Sequence, residues 1–303
     1  MTDPAESLRE ACRFQAQVCA AGGSPTWAAV IEAAVADLST MTPGPLGSVL
    51  LADADRGAAV DPWRTNAPLR FVGALHRLAL GDPASPLRAW LPSTGGTFDP
   101  QAAVAAARTV ASASPAAVVA AMVAAVQTNE VGRAAALSAA VHAAAARHPL
   151  PVRLVEIGAS GGLNLRLDRV RVEAGAAAWG PVDSPVRLDG CFVAGTPIPA
   201  EVAVVARRGC DLDPIDVMTD VGRDLLRSFV WPEQLDRMAR LDAALAVARA
   251  EPVVVERSAA GPWLERVLAS PAPGTLTVVF HSVFAFYLQP HEWTQVVETV
   301  TAA

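Results

Sequence analysis

The sequence predicts an α/β fold, with an all-helical N-terminal domain over residues 1–148 followed by a domain with a mostly parallel sheet over residues 149–303. Two observations carry this prediction. Up to about residue 148, apolar side chains recur at helical spacing and no strand pattern is visible. From Pro151 onwards, short β-branched runs alternate with helical stretches. Strands that alternate with helices build a parallel, doubly wound sheet.

The composition excludes several classes of protein. The chain of 303 residues is 52% hydrophobic and carries a formal net charge of −6, so we expect no nucleic-acid partner. Every basic residue is an arginine, which excludes a Walker lysine, a pyridoxal Schiff base and a lysine general base. The four cysteines form no C-x-x-C pair and have no histidine near them in the sequence, and we therefore expect no metal.

The N-terminus and the apolar stretches bear on localisation. The first residues lack the basic start and the apolar core of a signal peptide. The longest apolar stretch, residues 115–126, is too short to span a bilayer. We therefore expect a cytoplasmic protein without a membrane partner, and the sequence leaves homo-oligomerisation open.

Six helices are predicted before residue 149. On the second of them, the apolar residues from Trp27 to Leu38 share one face, as expected of a helix that packs on a core. Pro43, Gly44 and Pro45 break the chain after it. The predicted helices cover residues 8–19, 26–38, 69–80, 100–111, 115–127 and 131–147.

Four strands and a hairpin are predicted in the C-terminal domain. Residues 170–195 alternate apolar and polar side chains around Gly175, Gly180 and Gly190, which is typical of a β-hairpin. The predicted strands cover residues 152–157, 202–206, 252–256 and 276–280, and the predicted helices cover residues 220–250 and 291–302.

The most informative segment runs from Leu154 to Asn164, where a buried strand passes into a loop of small residues and then into a short helix. Such a loop lets backbone N–H groups approach a ligand closely. Glu156 stands two residues before the first glycine; it would repel a diphosphate, but it suits a ligand that carries an ammonium group. Further along the chain, Asp211 ends the next strand, at the position where Rossmann-like sites bind ribose hydroxyls.

Two patterns in these segments resemble motifs of a known group. E-x-G-x-S-x-G, which begins at Glu156, and G-x-D-L-D-P, which begins at Gly209, are similar to the first two motifs of class I S-adenosylmethionine-dependent methyltransferases. The resemblance implies a Rossmann-like fold of the methyltransferase type, with S-adenosylmethionine as cofactor. Its methionine part would lie on the glycine loop, its ribose at Asp211 and its adenine near Ser258. The implied cofactor-binding residues are Glu156, Gly158, Ala159, Ser160, Gly162, Asp211, Asp213 and Ser258.

Four segments also resemble one bacterial family, the uncharacterised domain of unknown function 2332. They are residues 127–133, the glycine loop at residues 158–162, residues 208–216 and residues 280–283. The resemblance covers most of the chain. The name of the family implies no activity.

Side chains on both sides of the glycine loop are candidates for the acceptor site. His281 follows the predicted strand 276–280, at the edge where open α/β sheets bind ligands, and would deprotonate or orient the methyl acceptor. A packing role for this histidine is the alternative. Asn129, Glu130 and Arg133 interrupt an alanine-rich stretch and are candidate substrate-binding residues. The alternative is a helix cap at Asn129 and a surface pair of Glu130 with Arg133.

The sequence thus favours an S-adenosylmethionine-dependent methyltransferase with a small-molecule acceptor. Methyl transfer from a sulfonium needs few catalytic side chains, which agrees with a sequence that shows no strong catalytic triad or metal site. One alternative is a non-enzymatic nucleotide-binding or regulatory protein that kept the same core. A third interpretation is a serine hydrolase. The glycine loop also fits the nucleophile elbow G-x-S-x-G, with Ser160 as the nucleophile and His281 or His291 as the base.

The position of the predicted strand 276–280 near the end of the sequence raises the question of what covers the outer edge of this strand. A complete methyltransferase sheet has further strands beyond the predicted helix 291–302, whereas the sequence ends at Ala303. An open apolar edge promotes aggregation. We therefore expect the outer edge of strand 276–280 to be covered by another chain or by the N-terminal domain, or to be continued by further strands in a longer natural protein.

Overall fold

A computed structural model describes residues 4–56, 61–193, 195, 199–270 and 272–303. The chain divides into two compact units. The helical unit comprises Met1–Thr128 and Asp224–Ala239, and the sheet unit comprises Asn129–Arg223 and Arg240–Ala303. These borders differ from the division expected after residue 148, because residues 129–148 belong with the sheet and residues 224–239 belong with the helices.

In the part of the helical unit that the structure describes, six α-helices make up most of the chain. Five of them begin at a proline and the sixth has a proline at its second position, where the missing N–H removes no helical hydrogen bond. One of the six, over residues 45–56, is absent from the predicted set, because the break before it also starts a helix. The helices are α1 (Pro4–Ala21), α2 (Pro25–Leu38), α3 (Pro45–Arg56), α4 (Ala67–Gly81), α5 (Pro100–Ala113) and α6 (Pro115–Ala121).

The segment Asp224–Ala239 joins this unit through contacts far apart in sequence. The carboxylate of Glu233 accepts hydrogen bonds from Ser24 Oγ at 2.7 Å and from the backbone N–H of Thr26 at 2.9 Å. It thereby satisfies donors at the start of α2 and places a negative charge at the positive end of the helix. Phe229 packs so closely on α4 that a Cβ at Gly73 would lie 2.7 Å from its ring.

His76 on α4 is fully buried in the core of the helical unit. Its Nδ1 lies 3.1 Å from the carbonyl oxygen of Ser228, and its Nε2 lies 2.8 Å from Ser93 Oγ. Because a carbonyl can only accept, Nδ1 carries the proton and Nε2 accepts from the serine hydroxyl. Burial lowers the pKa of His76 to about 4, so the ring is neutral at ordinary pH and serves the core.

The sheet unit contains all seven strands that occur among the described residues. Helices α8 and α9 each cross the border between the units, and α10 is absent from the predicted set. The elements are α7 (Ala134–Arg147), β1 (Val152–Ile157), β2 (Arg171–Ala174), β3 (Ala177–Trp179), β4 (Arg187–Leu188), β5 (Val204–Asp211), α8 (Asp220–Ser228), α9 (Leu235–Ala250), β6 (Val255–Arg257), α10 (Ala260–Leu268), β7 (Leu276–Phe280) and α11 (Pro290–Ala302).

Four parallel strands form the main sheet, in the order β6-β5-β1-β7. The prediction of a mostly parallel α/β sheet is confirmed. From β1 the chain moves to β5 and β6 on one side, and then returns to β7 on the other side. In open α/β sheets, ligands bind outside the carboxyl ends of the strands at such a change of direction.

The predicted hairpin is also present. Strands β2 and β3 pair antiparallel, and β4 adds to β2 in parallel to make a separate three-stranded sheet. The indole N–H of Trp179, at the end of β3, donates to Ser138 Oγ on α7 at 2.9 Å. This contact is one reason why α7 belongs with the sheet unit.

Strand β7 lies at one edge of the main sheet, and its five residues are all partly exposed. Within the described ranges, its outer edge pairs with no strand, and no strand comes from residues before 150. The expectation that something covers this edge stays a prediction.

None of the helices in the described part of the chain is by itself long and apolar enough to cross a bilayer. Among these described helices, one consecutive pair, α5 and α6, reaches that length and composition together, and the pair is bent by 101°.

Candidate functional site

The glycine loop, residues 158–162, joins β1 to a short 3-10 helix over Leu163–Arg169. Gly158, Ser160 and Gly162 all have left-handed backbones, with φ of +67°, +54° and +67°. Two features favour glycine at residue 158. Its backbone is left-handed, and a Cβ there would lie 2.7 Å from Cγ of Phe284. The loop is therefore fixed both by its own backbone and by a neighbouring ring.

The end of β5 holds this loop from the adjacent strand. The backbone N–H of Ser160 donates to Oδ2 of Asp211 at 2.8 Å, and the N–H of Ala159 donates to the carbonyl of Cys210 at 2.9 Å. In return, the N–H of Ile215 donates to the carbonyl of Ser160 at 3.3 Å. The two motif segments found in the sequence are thus in direct contact.

Two of the candidate substrate residues contact the surroundings of the loop. Asn129 is buried, and its Oδ1 accepts from the backbone N–H of Leu163 at 2.9 Å, where the 3-10 helix begins. Arg133 donates from Nη1 to Ser282 Oγ at 2.7 Å, just beyond the end of β7. These residues therefore connect the segment before α7 to the loop and to the end of β7.

Glu130 has a different environment from its two neighbours. Its Oε1 accepts from the backbone N–H of Gly132 at 2.9 Å and lies 3.7 Å from Nη1 of Arg240. Glu130 is thus the residue that caps the turn before α7. The alternative in which Asn129 caps its own helix is wrong, because its side chain accepts from Leu163 instead.

Glu156 is the most unusual side chain of the site. It is 1% exposed, and within the described ranges its Oε2 has no hydrogen-bond partner. Burial raises its pKa well above the ordinary value and the charge of Asp211 raises it further, against opposing effects of Arg133 and Arg166. The carboxyl therefore favours its neutral form until a cation comes close to it.

Asn164 and Arg166 follow the loop and are 1% and 2% exposed. Among the described residues, neither amide atom of Asn164 has a partner, nor does Nη2 of Arg166. Arg166 donates from Nε to the carbonyl of Glu251 and from Nη1 to that of Gly162, both at 2.8 Å. Neither residue is among the site residues expected from the sequence. The available signal was that polar residues alternate with leucines over 163–167, in a buried segment directly after the loop.

The residues expected near the nucleoside lie at the ends of β5 and β6. Asp211 also accepts from the backbone N–H of Asp213 through Oδ1 at 2.9 Å, so both its oxygens have protein donors and each keeps a second lone pair. Asp213 is exposed and pairs with Arg257 at 2.8 Å. Ser258 donates from its backbone N–H to the carbonyl of Asp211 at 2.9 Å and from its hydroxyl to that of Ala259 at 3.2 Å.

His281 follows β7 and is partly buried. In the described part of the chain, its Nδ1 has no hydrogen-bond partner. The ring meets Trp293 edge-on, with 5.3 Å between centroids, and lies 6.2 Å from the ring of Phe284. Burial lowers the pKa of His281, which favours the neutral imidazole. Two residues later, Val283 has a φ of +66°, which is rare for a β-branched residue.

Because the strands are parallel, Glu156, Asp211 and His281 all lie at the carboxyl ends of neighbouring strands. In the pairing of β1 with β7, Glu156 stands opposite Phe280, the residue before His281. Asp211 ends β5 on the other side of β1. The described residues include no cluster of three or more His, Cys, Asp or Glu side chains that could hold a metal ion.

No curated protein and no solved structure matches the chain. A family model with the description "Uncharacterized protein conserved in bacteria" matches residues 9–303. This description names no reaction and no ligand. The chain belongs to this bacterial family, the domain of unknown function 2332 that four of its segments resemble.

Proposed function

We propose that the sheet unit binds S-adenosylmethionine and that the protein transfers the methyl group to a small-molecule acceptor. The observation that carries the proposal is the Glu156 carboxyl, which is buried two residues before the glycine loop with Oε2 unpaired among the described residues. A buried carboxyl group ionises only when a partner of opposite charge comes close to it. The ammonium group of the cofactor's methionine part would supply one.

The strand order of the main sheet also supports the proposal, because open α/β sheets bind ligands where the strand order changes direction. The change of direction between β5 and β7 lies at β1, the strand that leads into the glycine loop. The left-handed residues of that loop and the Asp211 carboxylate lie at the carboxyl ends of β1 and β5. A Rossmann-like arrangement of this kind would take the nucleoside at Asp211 and Ser258 and the amino acid at Glu156.

The chemistry asks little of the protein. When bound, S-adenosylmethionine supplies a methyl group on an activated sulfonium sulfur. The protein has to align a lone pair of the acceptor with that methyl group and take up the proton that the acceptor loses. His281 suits the second task, because burial lowers its pKa and Nδ1 has no partner among the described residues. Arg133 fixes the segment beyond β7 through Ser282.

Calorimetry with S-adenosylmethionine and S-adenosylhomocysteine tests the proposal. We expect saturable binding, weakened about thirtyfold or more in Glu156→Gln, which keeps the shape of the side chain but removes the charge that pairs with an ammonium. Glu298→Gln makes the same change at an exposed position of α11 and should bind like the wild type. A folded chain that binds neither ligand, or equal losses in both variants, contradicts the proposal.

Two further assays distinguish the other candidate functions from a methyltransferase. A binding protein would hold the cofactor without turnover, so methyl transfer to a panel of small amines, alcohols and thiols separates it from an enzyme. The backbone of Ser160 favours a hydrolase, because a left-handed conformation suits a strained nucleophile elbow. We expect a serine-directed phosphonate to leave the chain unlabelled. Labelling that disappears in Ser160→Ala would replace the methyltransferase with a hydrolase.

A further inference from the structure

Buried polar atoms without partners concentrate around the glycine loop. Among the described residues they include Oε2 of Glu156, both amide atoms of Asn164 and Nη2 of Arg166. These three side chains are at most 2% exposed. Folded proteins pair nearly all of their buried polar atoms, so a group of unpaired ones indicates that water, an ion or a ligand supplies the partners.

The three side chains differ in charge. Glu156 becomes an anion when it ionises, Arg166 is a cation, and the amide of Asn164 can both donate and accept. Glu156 and Arg166 are close enough for each to shift the pKa of the other. A ligand with only an ammonium group would leave the Arg166 cation without an added anion, and one with only a carboxylate would leave Glu156 neutral with Oε2 unpaired. A zwitterion satisfies both groups.

The guanidinium of Arg166 is held in place. Its Nε and Nη1 donate to backbone carbonyls, of Glu251 and of Gly162 in the loop itself. These two bonds fix the plane of the group and leave Nη2 available. A fixed guanidinium donates to a carboxylate with little loss of side-chain freedom.

We propose that Glu156, Asn164 and Arg166 form a subsite for the α-amino-acid group of a ligand. Glu156 takes the ammonium group, and Asn164 and Arg166 take the carboxylate. The inference rests on the proposed function where that group is the methionine part of S-adenosylmethionine. It adds two binding residues and the requirement that the ligand carry both charges.

Two ligand series test the subsite by calorimetry. The first compares S-adenosylhomocysteine with methylthioadenosine, which lacks the amino-acid group. The second compares methionine with its decarboxylated amine and its deaminated acid, none of which contains adenosine. In each series we expect the compound with both charges to bind about thirtyfold tighter or more, since a missing ammonium or carboxylate leaves a buried polar group of the subsite without its partner.

Two variants separate a binding role from a structural one. Asn164→Asp places a negative charge where the carboxylate is expected, so S-adenosylhomocysteine should lose affinity while the decarboxylated amine keeps or gains it. Arg166→Lys should weaken S-adenosylhomocysteine and leave methylthioadenosine unchanged. Arg207→Lys is the matched control, because Arg207 binds the same 3-10 helix through Leu165 and Asp168. If both arginine variants weaken both adenosine ligands equally, the role of Arg166 is structural and the inference is overturned.

The outcomes also separate this inference from the proposed function. Equal affinity for S-adenosylhomocysteine and methylthioadenosine overturns the subsite and leaves the cofactor in place. Discrimination in the methionine series without binding of any adenosine ligand overturns the cofactor and supports the subsite. If no compound of either series binds, the polar atoms hold ordered water only and the inference is wrong. The ligand series need only the wild-type chain, so they decide the question even where a variant fails to fold.

Discussion

The carboxylate of Asp211 accepts a hydrogen bond at 2.8 Å from the backbone N–H of Ser160, which is 51 residues earlier in the chain. The end of one strand thereby fixes the loop that follows its neighbour. The same carboxylate also accepts from the N–H of Asp213, so one side chain organises two adjacent turns at the carboxyl edge of the sheet.

Asp211→Ala should destabilise the protein, because both backbone N–H groups lose their partner. We expect a loss of about 2 kcal/mol in the free energy of unfolding, measured by urea denaturation. Asp213→Ala is the control. Asp213 is exposed, so its loss should cost less than about 1 kcal/mol. Similar losses in the two variants would mean that Asp211 does not organise the loop.

Gly158→Ala should lower the free energy of unfolding more than the same substitution at a left-handed glycine with open space around it. Both Gly158 and Gly190 have positive φ, of +67° and +59°, but only Gly158 lies against the ring of Phe284. We expect Gly190→Ala to cost about 1 kcal/mol for the backbone alone. Gly158→Ala should cost about 1–3 kcal/mol more, because the new Cβ overlaps the ring. Thermal unfolding measures both, and a double variant with Phe284→Ala should recover part of the difference.

The stability of the fold should fall in mild acid because of His76. Its pKa is about 4 in the fold against 6.5 for the free side chain, so between these values the unfolded chain binds the proton and the folded chain does not. Stability is therefore lost as the pH falls from 6.5 towards 4, by at most about 3 kcal/mol. Urea denaturation at several pH values checks this. The loss should shrink in His76→Leu and persist in the control His148→Leu, which changes an exposed histidine.

Glu156 should lower stability at neutral pH while it favours ligand binding. Its pKa in the fold is raised well above 4.5, so the folded chain binds a proton that the unfolded chain has already lost. The stability therefore decreases as the pH rises above 4.5. Glu156→Gln removes this effect and should unfold at a higher temperature than the wild type at pH 7, although we expect it to bind S-adenosylmethionine less tightly. An unchanged or lower unfolding temperature of the ligand-free variant would contradict a raised pKa of Glu156 in the fold.

Much of the local structure could be predicted from the sequence. The strands at residues 152–157 and 276–280 have the predicted bounds, and α2 buries the face that begins at Trp27, because apolar periodicity is a property of neighbouring residues. Strand β5 ends at Asp211, as expected for that acidic residue, although the apolar run that predicted the strand covers only residues 202–206. Arg207 and Arg208 interrupt the apolar pattern, since each is polar in sequence and pairs with a distant carboxylate, of Asp168 and Glu256.

The sequence by itself determined the alternation of strands and helices, the glycine loop and the identity of Glu156 and Asp211 as candidate site residues. Only the tertiary structure decided that Asn129 and Asp211 hold the loop, that residues 129–148 belong with the sheet, and that Asn164 and Arg166 are buried with unpaired atoms. Patterns along the chain depend on local backbone geometry. Contacts between residues that are far apart in sequence depend on which strands become neighbours, and that order is set by packing of the whole sheet unit.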